Sequence, residues 1–310
     1  MFEYILEKIK KADFEEKPFK HIYIEDFFSK EDFAMIVADP QINVPRASSD
    51  EEVFNLLEGL GYSIVPFPGC TLDKDRYIKS RKGLANLGHH ETTEGEGIAL
   101  RNVNPSSQII KAVDEFFRSD DFYRTVAEKF NLDLDGKLVD AGIQKYLDGY
   151  EISPHPDTRK KAFTFMININ PSAASEENEH HTSYLNFKTE RDYVRRFWEG
   201  NPSIDRCFVP YSWCNVIYTQ NKNNSIVMFA PNNETLHSVK CDYSHLEYQR
   251  TQIYGNLWFK EKMFSEIKEY TELDLIDGPK MFKKPSIKSQ LRKAFGYRSK
   301  NIDLDRKRLY

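Results

Sequence analysis

A mixed α+β fold with a mainly β core is predicted for this chain, and three observations predict it. Up to about residue 131 the apolar residues recur at helical spacing. From Lys137 onward, short runs rich in β-branched and aromatic residues take over. Helices followed by a block of strands favour antiparallel sheets with the helices gathered to one side. The third observation is composition: 40% of 310 residues are apolar and 14% aromatic, enough for a sizeable core and too much for a disordered chain.

The elements follow in order. Residues 1–16 alternate charged and apolar positions and predict an amphipathic opening helix. His21–Glu25 alternates with period two, a strand. Ser29 stands three residues before Asp32 and an apolar stripe follows, a helix start. A second helix is predicted over Asp50–Leu60, stopped by Gly59 and Gly61, and Pro66–Gly69 is loop. Two further helices run from about Asn104 to Asn131, with Ile109, Ile110, Val113, Phe116, Phe117, Phe122, Val126 and Phe130 on one face. Strands are predicted at Lys137–Gln144, Phe163–Ile169, Cys214–Tyr218, Ile226–Phe229 and Gln252–Trp258.

Charge and cysteine content narrow the class. With 44 Lys and Arg against 48 Asp and Glu, the net charge of -4 gives no general argument for nucleic acid or a membrane surface. The average hides a contrast: Lys280–Tyr310 holds 11 Lys and Arg against 2 Asp, a net of +9, leaving -13 for the rest. That tail is expected to be a partly helical solvated extension, with an acidic partner or membrane lipid as the alternative. Met1–Lys8 lacks the pattern of a secretory signal, and no stretch suits a transmembrane helix. Cys70, Cys207, Cys214 and Cys241 show no paired spacing, so a cytoplasmic protein with free thiols is expected.

The chemistry is expected between Tyr146 and Arg250. His155 and Asp157 form a His-x-Asp pair, and on an extended segment alternate side chains share a face. With 8 His and 22 Asp in the chain, chance alone supplies roughly 0.6 such pairs, so the pair needs a third ligand to mean anything. An imidazole pair with one carboxylate is the ligand set of open Fe(II) sites. His237 is the proposed third member, reached through a β-rich run and the Pro231-Asn232-Asn233 turn. His245 is a rival, less favoured because it sits in a polar turn five residues before Arg250. Arg250 opens an apolar strand, where a buried guanidinium calls for an anionic partner. A structural salt bridge is the alternative for it.

Tyr146-x-x-Gly149, His155-x-Asp157, the strand Thr164–Asn170, Phe229-x-Pro231 leading to His237-x-Val239, and Arg250 with Gly255 and Trp258 together resemble the prolyl-hydroxylase-like branch of the Fe(II)/2-oxoglutarate-dependent oxygenases. His21–Ser29 also resembles the opening of such domains, and the likeness covers about 21–41 and 140–260. The resemblance implies a double-stranded β-helix, or jelly roll, with supporting N-terminal helices. It implies His155, Asp157 and His237 as iron ligands and Arg250 as the partner of the distal carboxylate of 2-oxoglutarate. Tyr146, Thr164 and Asn168 match positions near the co-substrate, although Asn168 stands where some members carry a tyrosine. The implied reaction consumes O2 and 2-oxoglutarate, releases succinate and CO2, and hydroxylates carbon.

A small or carrier-bound metabolite, a sugar or amino-acid derivative, is the expected substrate. A peptidyl prolyl hydroxylase and a non-catalytic jelly-roll binding protein are the alternatives. Demethylation of nucleic acid is disfavoured, because Asn256 stands where that class resembles a second arginine. The expected organisation is an N-terminal helix over 1–20, an oxygenase domain over 21–260 with an insertion at 172–206, and a basic extension over 261–310. Within the insertion, Arg191, Arg195, Arg196 and Trp198 are either a receiver for a charged substrate or an exposed basic helix. His180-His181 and His89-His90 are expected to be solvated surface.

Overall fold

Serines open four helices of the first half. The side chains of Ser29, Ser49, Ser107 and Ser119 accept from the backbone N–H of Asp32, Glu52, Ile110 and Phe122, and so satisfy donors that a helix start leaves without partners. The helices they begin are α2 (Lys30–Ala38), α3 (Asp50–Gly59), α5 (Gln108–Phe117) and α6 (Asp120–Phe130). Asn131 ends α6 in the left-handed region, at φ 54°. The computed structural model describes residues 1–65, 73–82, 97–201, 204 and 208–260, and all belong to one compact unit, Met1–Phe264. Pro66–Gly69, His89-His90, Cys70, Cys207 and the basic extension lie outside the described residues.

The opening helix α1 spans Glu3–Lys11 and is shorter than the expected 1–16. Its chain turns extended at Ala12, and Glu15 instead forms a β-bridge with His21. A helix absent from the sequence reading, α4, covers Lys74–Arg81. No described helix is long and apolar enough to cross a membrane.

The strands are β1 (Ile22–Ile24), β2 (Tyr62–Ile64), β3 (Ala99–Asn102), β4 (Lys137–Tyr146), β5 (Glu151–His155), β6 (Lys161–Asn168), β7 (Thr182–Phe187), β8 (Cys214–Gln220), β9 (Ile226–Phe229), β10 (His237–Lys240) and β11 (Arg250–Phe259). They form a seven-stranded sheet in the order β1-β9-β6-β11-β4-β3-β2 and a four-stranded sheet in the order β5-β10-β7-β8. Every pairing among the named strands is antiparallel. From β4 onward the chain passes back and forth between the sheets, except that β7 and β8 are consecutive partners in the smaller one. Asp148-Gly149 turns the first of these corners, with Gly149 at φ 80°.

Period-two alternation divides the larger sheet into two faces. Ala141, Ile143, Phe163, Phe165, Ile167, Ile226, Met228, Ile253 and Leu257 point to the main core. There Phe165 meets Phe117 and Phe122 at ring distances of 5.4 and 5.2 Å, tying α5 and α6 to the sheet. A Cβ at Gly255 would run into the Phe165 ring, so this strand position holds a glycine. The opposite face carries Tyr146, Met166, Val227, Phe229, Arg250, Gln252 and Tyr254. Part of it packs on Tyr184 of the smaller sheet.

The stretch 172–206, expected as an excursion, requires a correction. It contains β7, which pairs with β10 on one side and β8 on the other. Its polar flanks hid the alternation of Thr182, Tyr184 and Asn186 with Ser183, Leu185 and Phe187. The helix α7 (Tyr193–Glu199) follows, with Arg195 paired to Asp192, Glu199 and Glu234, and Arg196 paired to Asp192. Arg191 packs on the Trp213 ring. The basic charges of α7 are thus met by its own neighbours.

Candidate metal and co-substrate site

The antiparallel register between β5 and β10 sets His155 directly opposite His237. Their rings lie 4.5 Å apart between centroids. Asp157 follows β5 by two residues, and one ligand atom from each of the three residues falls within 4.8 Å of the others. All three side chains are buried. The Nδ1 atoms of His155 and His237 lie 2.7 and 2.9 Å from the carbonyl oxygens of Ser153 and Thr235. Those bonds make Nδ1 the protonated nitrogen and Nε2 the lone-pair atom, which is how a metal-binding imidazole is oriented.

The Asp157 carboxylate is gripped at both oxygens. Lys161 Nζ donates to Oδ1 at 2.7 Å, and Thr164 Oγ1 donates to Oδ2 at 2.6 Å. Burial alone would raise the Asp157 carboxyl, but Lys161 and the two imidazoles outweigh it and hold the group well below the usual carboxylate range. Lys161 also donates to Tyr254 Oη at 2.7 Å. The donor set of two imidazoles and one ionised carboxylate, buried and pre-oriented, fits a divalent first-row metal with open positions.

Arg250 begins β11 at one end of the same cavity, which has a volume of about 340 Å³. The residue is 1% exposed, with no carboxylate within ion-pairing distance among the described residues. Its Nη2 donates to Thr182 Oγ1 at 2.9 Å, its Nε has no partner, and its guanidinium lies 4.5 Å from the centre of the Tyr146 ring. The register Arg250↔Tyr146 makes that stacking a consequence of strand pairing. A buried guanidinium of this kind is ready to take a carboxylate.

Two residues expected near a co-substrate are placed elsewhere. Thr164 serves Asp157 and does not line the cavity. Asn168 is consumed structurally: its Nδ2 donates to the carbonyls of Gln220 and Lys222, and its Oδ1 accepts from Gln252 Nε2. Both point to the inner face, but Asn168 sits at the end where the β8–β9 turn closes over it. His180 and His181 are buried, which corrects the expectation of solvated surface. The chain there tucks under Tyr243, 4.6 Å from the His180 ring. Burial, with the neighbouring His181 and Arg250, pushes the His180 imidazole down to about 2, a neutral ring. His245 Nε2 lies 2.9 Å from Asp50 Oδ1, away from the cluster.

Lys161, Thr182 and Tyr254 line the cavity and were missed in the sequence, and Trp258, which also lines it, was read there only as part of the strand motif. Tyr254 and Trp258 were within reach, since they continue the period-two series that starts at Arg250. Thr182 had no local signal.

No family model matches the chain, and no curated protein matches it. Solved structures do. A prolyl hydroxylase from Trichoplax adhaerens, in complex with a hypoxia inducible factor peptide, shares 11% identity over 84% of this chain and 89% of that one, with a TM-score of 0.39. A Pseudomonas putida prolyl-4-hydroxylase shares 9% identity over 83% and 98%, with a TM-score of 0.40. HygX from Streptomyces hygroscopicus, with nickel, 2-oxoglutarate and hygromycin B bound, shares 8% over 64% and 82%, with a TM-score of 0.27.

Proposed function

We propose that this protein is an Fe(II)- and 2-oxoglutarate-dependent dioxygenase, built on a double-stranded β-helix, that hydroxylates carbon in a small or carrier-bound metabolite. The observation that carries the reading is the meeting, in one cavity, of a buried His-Asp-His set and a buried arginine with no carboxylate partner among the described residues. A metal site alone would suit many proteins. The unmatched guanidinium beside it asks for a bidentate organic acid, which is what 2-oxoglutarate is. The alternation of strands between two antiparallel sheets supports the β-helix reading.

His155, Asp157 and His237 would hold the metal. Bound there with 2-oxoglutarate and O2, ferrous iron supplies an oxidation that yields succinate and CO2 and places one oxygen atom on substrate carbon. The residues of this chain do the positioning. Arg250 and Thr182 receive the distal carboxylate, and the Tyr146 ring holds the guanidinium plane. Ser153 and Thr235 fix the imidazoles, and Lys161 and Thr164 fix the carboxylate. Burial of the set keeps bulk water from the reacting atoms.

Incubating the full chain with Fe(II), O2 and 2-oxoglutarate and measuring succinate tests the reading. Succinate above the metal-free control is expected, through slow uncoupled turnover even without substrate. None, with protein that also fails to bind Co(II), would overturn it.

A further inference from the structure

The cavity has a second end that the metal set and Arg250 leave unused. Past Tyr254 the inner face of β11 reaches Trp258, with Asp140 from β4 and Arg101 from β3 completing the wall. Arg101 Nη1 lies 2.6 Å from Asp140 Oδ1 and its Nη2 lies 3.4 Å from Oδ2, a two-pronged pair that remains partly exposed. Turning the Gln144 amide so that its oxygen faces Arg101 adds contacts at 2.7 and 3.1 Å. Lys161 is held by Asp157.

The contrast with Arg250 is one of charge. Every ionised side chain among the described residues lining this end already has its counter-charge. A carboxylate, phosphate or ammonium entering here would have to break an ion pair or lose its hydration without a partner. The wall still offers the remaining lone pairs of Asp140, the edge of the Arg101 fork, and the apolar surface of Trp258. A hydroxyl both donates and accepts, so it can bridge a carboxylate and a guanidinium without disturbing either charge. A ring with C–H faces can lie against an indole. The cavity, of about 340 Å³ in all, is shared with the co-substrate and has room for one ring.

We propose that the Arg101–Asp140–Trp258 end binds a neutral polyhydroxylated ring, a sugar or cyclitol unit, as the part of the substrate presented to the metal cluster. This rests on the oxygenase reading and names its substrate class.

The test titrates the full chain, without metal, with methyl glucoside, methyl galactoside and myo-inositol, and with glucose phosphate and glucuronate as charged counterparts. Calorimetry reads binding, and Co(II) and 2-oxoglutarate affinities are measured separately. At least one neutral probe should bind saturably, about tenfold or more tighter than the charged rings. Trp258→Phe and Asp140→Asn should each weaken it about tenfold and leave Co(II) and 2-oxoglutarate binding unchanged. Asp140→Asn should also strip Arg101 of its counter-charge and raise the affinity for glucose phosphate. The proposal is overturned if a charged ring binds the wild-type protein as tightly as the neutral ones, if no neutral probe saturates, or if both variants bind as the wild type does. Loss of Co(II) and 2-oxoglutarate binding with intact sugar binding would strike the oxygenase reading instead.

Discussion

The two faces of the seven-stranded sheet are written in one stretch of sequence and do opposite work. On β11, Ile253 and Leu257 face the helices, while Arg250, Gln252, Tyr254 and Trp258 face the cavity. The outer face is joined by aromatic rings in mutual contact, and its polar groups are few and bonded. The inner face buries a guanidinium and an ammonium, each costly to desolvate, and the ammonium meets the Asp157 carboxylate of the facing wall. The comparison teaches that stability is concentrated on one side of the sheet and chemistry on the other. Substitutions should therefore separate cleanly by the parity of their position.

The largest expected effect is at the metal set, which the smaller sheet places opposite the inner face. Asp157→Ala or His237→Ala should abolish metal binding and 2-oxoglutarate turnover; His237→Ala should leave the thermal midpoint near that of the wild type, whereas Asp157→Ala leaves the Lys161 ammonium buried without its counter-charge and should lower it. Elemental analysis and calorimetry check both halves, and retained metal would break the assignment. Next is the outer face: Phe165→Ala should cost about 3–5 kcal/mol in denaturant unfolding, with Co(II) affinity unchanged in the folded protein. A lost metal site at full stability would invert the comparison.

Arg250→Met should raise the 2-oxoglutarate requirement about 10- to 100-fold, the value of charged hydrogen bonds to a carboxylate, and spare the metal. Unaltered 2-oxoglutarate dependence would assign that arginine to structure. The smallest effect tests the exception on the outer face. Lys145 is buried there, donating to Ile42 O and Thr251 Oγ1, and burial pushes its ammonium down to about 7. The unfolded chain holds that proton up to about 10.4, so between these values the unfolded state binds more protons and stability rises with pH. The penalty is complete below about 7 and gone above the unfolded value. The rise can reach about 1.4 kcal/mol per pH unit. In Lys145→Met the slope of unfolding free energy between roughly pH 7 and 9 should flatten; an unchanged slope would place its source elsewhere.

Much of this was legible locally. Ser29 announced α2 by the spacing to Asp32, and the runs at β4, β6, β8, β9 and β11 announced themselves by β-branched and aromatic content. The strands that escaped, β2, β3, β5, β7 and β10, are short or polar, and pairing with neighbours stabilises them more than intrinsic preference does. Thr164 and Asn168 show the limit at the site. Each sits on the inner face, as alternation requires, but whether an inner residue meets the cavity depends on how far along the strand the opposite wall stands off.

What the sequence determined by itself was the period-two code of each strand, the serine caps and the residue types able to hold a metal and a carboxylate. Those depend on neighbours within a few positions, where backbone geometry is fixed. What only the tertiary structure decided was convergence: His155 against His237 across β5 and β10, Thr182 beside Arg250, Lys161 on Asp157, and Arg101 closed on Asp140. These join residues up to 82 positions apart through strand register, which is set by the packing of both sheets. Hence Arg250 could be suspected from its strand, but that it meets no carboxylate among the described residues, while Arg101 meets Asp140, is a fact of the folded cavity alone.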